Sequence, residues 1–310
     1  MAIPHRIDVH HHPTPAKELA ERTIGQPGIA NWTPEQSIED MDKNGVATAL
    51  LSLPHRAAAW RGDRMKASNK ARAWNEFMTR QANDHPGRFG VFAAVPILDI
   101  ESSLRETEYA LDTLKADGIN LMTNIGDKWL GDPHYFPLFE ELNRRKVVVY
   151  THPISPDCMQ NTMLPGVDDS MIEFCADTTR AIGCLLFSGA ADRFKDIRFI
   201  FSHAGGTMPF IVERFTRRPL VDESLAAFVP DGVLAYLKRF YYDTAQASHV
   251  HAMSSITKLV AVTQLVFGTD FPFRNAEDHV NGLKACGFSA DDLRAIECGN
   301  AQRLLPRWRN

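Results

Sequence analysis

Residues Val147-Val148-Val149-Tyr150-Thr151-His152-Pro153 form a run of β-branched and aromatic side chains without polar alternation, closed by a histidine and a proline. Such a run reads as a strand covered on both faces, the kind that parallel sheets contain. Working outward from this strand (147–151), similar runs recur at 7–12, 46–52, 89–95, 119–123, 197–202, 240–243 and 265–268, which makes eight. Between them lie segments such as 69–83, 100–116, 136–145, 170–191 and 207–217, whose apolar residues return every three or four positions as on an amphipathic helix. Eight strand–helix units in 310 residues predict a (β/α)8 TIM barrel, one domain spanning 1–310. A doubly wound sheet would carry an early Gly-x-Gly-x-x-Gly turn, and none is present. Two proline-bearing stretches, 12–32 and 155–169, follow predicted strands. They are expected as inserted loops covering the C-terminal face of the barrel, placed to act as a lid or a dimer contact.

Composition narrows the function. Lys and Arg number 34 against 38 Asp and Glu, the formal net charge is -4 and 44% of residues are hydrophobic, which excludes a disordered or collagen-like chain. No run of five like charges gives a footprint for nucleic acid or an anionic membrane surface. The apolar runs fall far short of the roughly 18 residues that span a bilayer. No secretory leader opens the sequence, so a cytoplasmic protein is expected. Five cysteines without a Cys-x-x-Cys pair agree with a reducing compartment and give no reason to assign a catalytic thiol.

In a barrel, function resides where the strands end, and four predicted strands end in metal-ligand chemistry. In Asp8-Val9-His10-His11-His12, alternation puts His10 and His12 on one face and His11 on the other. His152 ends the fifth strand. Ser202-His203-Ala204-Gly205-Gly206 ends the sixth, and Gly268-Thr269-Asp270-Phe271-Pro272 ends the eighth. Three imidazoles and a carboxylate, with His203 beside them, predict one divalent metal ion per chain held by His10, His12, His152 and Asp270. Zn2+ is the first choice, and Mn2+, Fe2+ and Co2+ are compatible with the same donors. The fourth strand has no lysine at its end to bridge a second ion.

These motifs resemble the amidohydrolase superfamily, in its aminocarboxymuconate-semialdehyde decarboxylase-like branch. Residues 111–133 and 177–181 look most like the 6-methylsalicylate decarboxylase type. Other members of the branch are γ-resorcylate and 5-carboxyvanillate decarboxylases, a lactonase and a hydratase. The resemblance implies a metal-dependent, non-oxidative decarboxylase of a small salicylate-like acid, an ortho-hydroxybenzoate, with release of CO2. Asp270 would serve as both ligand and proton donor, and His203 as acid or base. Some relatives carry Glu where His10 stands. The resemblance also suggests that Arg214 reaches across a homodimer, or higher homo-oligomer, to bind the substrate carboxylate. The alternative is a hydrolase or lactonase acting on a carboxylated cyclic ester, with Asp270 as the base for water. Phe273 and Trp129, with Phe271 and Phe136, are candidate ring contacts. Arg61, Asp127 and Arg274 read as loop charges, and Asp243-Thr244 as support for the metal ligands or a helix cap. His249 and His251 share His-x-His spacing but fall in a helical stretch, where that spacing does not share a face.

Overall fold

The computed structural model describes residues 5–13, 32–53, 64–126, 128–156, 158 and 167–309. Eight parallel strands follow one another around the sheet in chain order: β1 (Arg6–His11), β2 (Val46–Leu51), β3 (Phe89–Ala94), β4 (Gly118–Met122), β7 (Val148–His152), β8 (Arg198–Phe201), β9 (Tyr241–Asp243) and β10 (Leu265–Val266). A two-stranded antiparallel hairpin, β5 (Asn124–Ile125) and β6 (Lys128–Trp129), is inserted after β4. The ring closes through backbone bonds from Val9 N to Phe267 O (2.9 Å), Asp270 N to His10 O (2.8 Å) and His12 N to Phe271 O (2.8 Å). The expected (β/α)8 barrel is therefore present.

The period of two along each strand sorts the core into layers. Ile7, Val9, Leu50, Phe92, Val148, Tyr150, Ile200 and Val266 pack inside the barrel against Leu304 and Leu305 near the C-terminus. Their neighbours Ala49, Leu51, Val91, Ile119, Val149, Phe199 and Leu265 face the surrounding helices. The principal helices are α1 (Pro34–Lys43), α2 (Arg64–Asp84), α3 (Ile100–Glu108), α4 (Phe136–Arg144), α5 (Glu173–Phe187), α6 (Met208–Arg217), α7 (Val250–Leu259) and α8 (Ala276–Ala285). Helix α1 starts from a capping box, Thr33 with Gln36, and has proline at its first turn.

Differences from the sequence reading have local causes. The predicted helix 170–191 breaks at Gly189, whose φ of 77° ends α5 and starts a separate short turn, Ala190–Arg193. The predicted helix 100–116 leaves the α-helical pattern after Glu108, where a wider turn, Tyr109–Thr113, takes over. The stretches 14–31 and 159–166, which make up most of the two expected covering loops, lie outside the described residues. Among the described residues no helix is long and apolar enough to cross a membrane.

Candidate metal centre and adjoining cavity

Alternation along β1 turns His10 and His12 into the mouth of the barrel, where they meet His152 from β7 and Asp270 from the segment after β10. Each of the four residues offers one ligand atom, and these atoms lie within 4.8 Å of one another, all buried. The three imidazoles are held from behind. His10 Nδ1 is 2.8 Å from Asp243 Oδ2, His12 Nδ1 is 3.0 Å from Ser52 O, and His152 Nδ1 is 2.8 Å from Pro153 O. Carboxylates and carbonyls only accept, so each ring carries a hydrogen on Nδ1 and, unless a second proton is taken up, turns an Nε2 lone pair toward the cluster.

The cluster therefore gathers acceptors. His10 Nε2 and His12 Nε2 stand 3.1 Å apart, and each is 3.2 Å from Asp270 Oδ1, a buried oxygen with no aligned hydrogen-bond donor among the described residues. Convergent lone pairs need positive charge among them, supplied by a proton or a cation. The nitrogen-rich set with one oxygen fits a borderline divalent ion. Electrostatics agree. Burial works against a charged His10, yet Asp243 and then Asp270 more than offset it and push the ring up to about 10. Burial, with the neighbouring rings, holds His152 well below the usual histidine range and also lowers His12. Burial opposes the charge on Asp270 too, but His10, His12 and His203 together keep its carboxyl well below the ordinary value.

Glycines allow this convergence. A Cβ at Gly268 would lie 2.9 Å from His10 Cβ, so the strand bearing Asp270 could not approach β1 with a larger residue there. One at Gly206 would meet Cys175 O at 2.2 Å. His203, Ala204, Gln246 and Asp270 adopt left-handed backbone conformations, with φ of 56°, 54°, 55° and 64°. Strain of this kind, of order 1–3 kcal/mol per residue, is characteristic of functional sites. Asp243 links the parts, since its Oδ1 accepts from His203 N (2.8 Å) and Ala245 N (3.0 Å).

A cavity of about 540 Å3 adjoins the cluster and is bordered by His152, His203 and Asp270 together with Phe174, Phe210 and Phe273. Phe273 also lies edge-on to His12, with ring centroids 5.9 Å apart. The other aromatic candidates lie elsewhere. The Trp129 indole donates to Asp177 Oδ1 (2.6 Å), and the ring borders a separate hollow with Arg180, Phe187 and Phe215. Phe136 packs on Phe194, and Phe271 stacks on His11. Arg214 is exposed on α6 and does not border the cavity. Arg274 lies 3.8 Å from Asp278, and Arg61 and Asp127 fall outside the described residues. His249 and His251, set aside on spacing, border the cavity, where His249 caps α7. The sequence reading missed Gln246, whose side-chain amide donates to Asp270 Oδ2 (3.0 Å). Nothing in Asp243-Thr244-Ala245-Gln246 distinguishes that glutamine from a loop residue.

Fold and cluster define a (β/α)8 barrel with a His/Asp group at its mouth that could hold a metal ion. The amidohydrolase family model matches residues 7–307, and the chain belongs to that family. It is 34% identical to the 6-methylsalicylic acid decarboxylase of Penicillium expansum, over 97% of this chain and 96% of that protein. It is 25% identical to the γ-resorcylate decarboxylase of Polaromonas sp. JS666, over 87% and 86% of the two chains. The crystal structure of a dihydroxybenzoic acid decarboxylase from that same Polaromonas, with bound manganese and the inhibitor 2-nitroresorcinol, shares the fold with a TM-score of 0.84 at 23% identity, covering 99% of this chain and 98% of the other.

Proposed function

We propose that this chain is a metal-dependent, non-oxidative decarboxylase of a small ortho-hydroxylated aromatic acid of the salicylate type. The observation that carries the reading is the division of the Asp270 carboxylate, with Oδ1 turned to the imidazoles of His10 and His12 and Oδ2 turned to His203 and Gln246 beside the cavity. The full-length likeness to a 6-methylsalicylic acid decarboxylase supports it.

His10, His12, His152 and Asp270 would hold one divalent ion, zinc by donor type, with manganese supported by the Polaromonas relative. When bound, that ion would supply positive charge that stabilises the negative charge developing on the substrate. The chain's own residues do the rest. Phe174 and Phe273 offer ring-sized apolar surface against which the substrate can pack. Asp270 is held ionised, so the proton it passes on would come from His203, whose Nε2, 3.6 Å from Oδ2 here, must close to hydrogen-bond distance to deliver it. Delivery of that proton to the ring carbon bearing the carboxylate forms the C–H bond. The C–C bond electrons then return to the ring, and CO2 departs.

Arg214 would bind the substrate carboxylate of a neighbouring copy in a homodimer, a task its planar fork suits. Exposed Phe210 and Leu220, on and just beyond the same helix, support an interface there. The test is CO2 release by metal-loaded protein from 6-methylsalicylate and dihydroxybenzoates, without nicotinamide or oxygen. No CO2 from any of these acids, together with hydrolysis of a carboxylated lactone, would overturn the proposal in favour of the hydrolase.

A further inference from the structure

We infer that Gln246 is a positioning residue for the proposed reaction, fixing which oxygen of Asp270 faces the cavity, and that His279 holds Gln246 in place. The inference rests on the decarboxylase reading for its kinetic arm only. Three observations carry it. Gln246 borders the cavity and donates its side-chain N–H to Asp270 Oδ2 at 3.0 Å, on the side of the carboxylate away from His10 and His12. Its backbone is left-handed, φ 55°, a conformation a residue with a Cβ adopts at a cost and that glycine adopts freely. Its backbone N–H donates to Nε2 of buried His279 at 3.0 Å, while His279 Nδ1 faces Asn275 O at 3.0 Å. The carbonyl accepts, so His279 carries its hydrogen on Nδ1 and leaves Nε2 to receive the Gln246 N–H.

The consequence is mechanical. Combined rotation about the Cα–Cβ and Cβ–Cγ bonds of Asp270 would let Oδ2 leave the cavity side and join Oδ1 at the cluster, where a bound cation attracts it. Among the described residues Oδ1 has no aligned donor of its own to oppose that movement. His203 Nε2, at 3.6 Å from Oδ2, is beyond good hydrogen-bond distance. The Gln246 amide is thus the side-chain donor that keeps Oδ2 on the cavity side, where a proton can reach a substrate. Serving Asp270 this way does not require glutamine to bind an ion, so losing it removes orientation without removing a ligand.

The experiment compares wild type with Gln246→Met, which keeps the length and loses the donor, and Gln246→Gly, which loses the donor and relieves the left-handed backbone. Both are loaded with Co2+ and followed by visible absorption and by chelator competition; kcat and KM are measured separately. Expected are metal affinity equal to or above that of wild type, a weakened Co2+ absorption as a further oxygen joins the ligands, and kcat lower by about ten- to a hundredfold with KM little changed, the span of one hydrogen bond to a charged group. His279→Gln, which keeps an acceptor, should resemble wild type, and His279→Leu should resemble Gln246→Met. Unchanged Co2+ absorption, or loss of metal from well-folded Gln246→Gly, overturns the inference. If wild type itself releases no CO2, the function fails while the Co2+ comparison still decides the role of Gln246.

Discussion

His10 and His11 are consecutive on β1, equally buried and each beside an aspartate, yet they belong to different kinds of structure. His11 Nδ1 faces Asp8 Oδ2 at 3.0 Å and its Nε2 faces Ser37 Oγ at 2.8 Å. That is the order of groups with which serine hydrolases activate a nucleophile. Here the chain of bonds is sealed. Ser37 is fully buried, its hydroxyl accepts from Trp32 Nε1 at 2.7 Å, and Phe271 stacks on the imidazole at 4.8 Å. On the other face of the strand, His10 Nδ1 is held by Asp243, and its Nε2 faces His12 Nε2 and Asp270 Oδ1. Residue types alone would suggest two active sites. What separates them is whether the last atom in the chain already has its partner. The sealed side also serves the open one, because Asp8 accepts from Thr269 N and Thr269 Oγ1 and so fixes the residue next to Asp270.

The largest expected effect tests that division directly. His152→Ala should lose the metal and all turnover while remaining folded, as removal of one of four ligands from a site of this kind demands. His11→Leu should keep the metal, since Asp8 retains its bonds from His10 N and from Thr269. Elemental analysis of both purified variants decides the matter. Metal lost from a folded His11→Leu protein would mean that the two faces are one site.

A smaller effect follows from the proton on His10. Its pKa in the folded chain is about 10 against an ordinary 6.5. The stability that this proton gives the metal-free protein is fully present below about pH 6.5 and is lost as pH rises through 10. Metal uptake displaces it, so loading near pH 8 should release close to one proton per chain into weak buffer. Apparent affinity should rise about tenfold per pH unit up to that range. An affinity independent of pH between 7 and 9 would show that His10 carries no such proton.

The eight strands and the four convergent groups were legible because both are one-dimensional signals: runs of apolar side chains set the strands, and polar residues at their ends set the mouth of the barrel. Partners contributed by backbone atoms were not. The Ser52 and Pro153 carbonyls that orient His12 and His152 are backbone atoms and leave no mark on residue type. Trp129 shows the converse. Its aromatic character suggested a ring contact, but Asp177 on α5 lies within reach of its N–H, and the same carboxylate accepts from Asn124 and the Thr123 hydroxyl. Burial raises the Asp177 pKa, so these donors matter in keeping the group satisfied.

The smallest effect sharpens the comparison from the sealed side. The Asp8 carboxylate beside Nδ1 places the His11 hydrogen there, so Nε2 accepts from the Ser37 hydroxyl, which in turn accepts from Trp32. Ser37→Ala therefore leaves an imidazole nitrogen and an indole N–H buried without partners, at a cost of about 1–3 kcal/mol, readable as a lower denaturant midpoint. Metal content and turnover should stay at wild-type values, and a serine-directed fluorophosphonate should not label wild type at this position. Labelling of Ser37, or turnover lost without loss of folding, would mean that a substrate reaches the hydroxyl and that the Asp8–His11–Ser37 chain is a second reactive centre rather than part of the frame that holds Asp270.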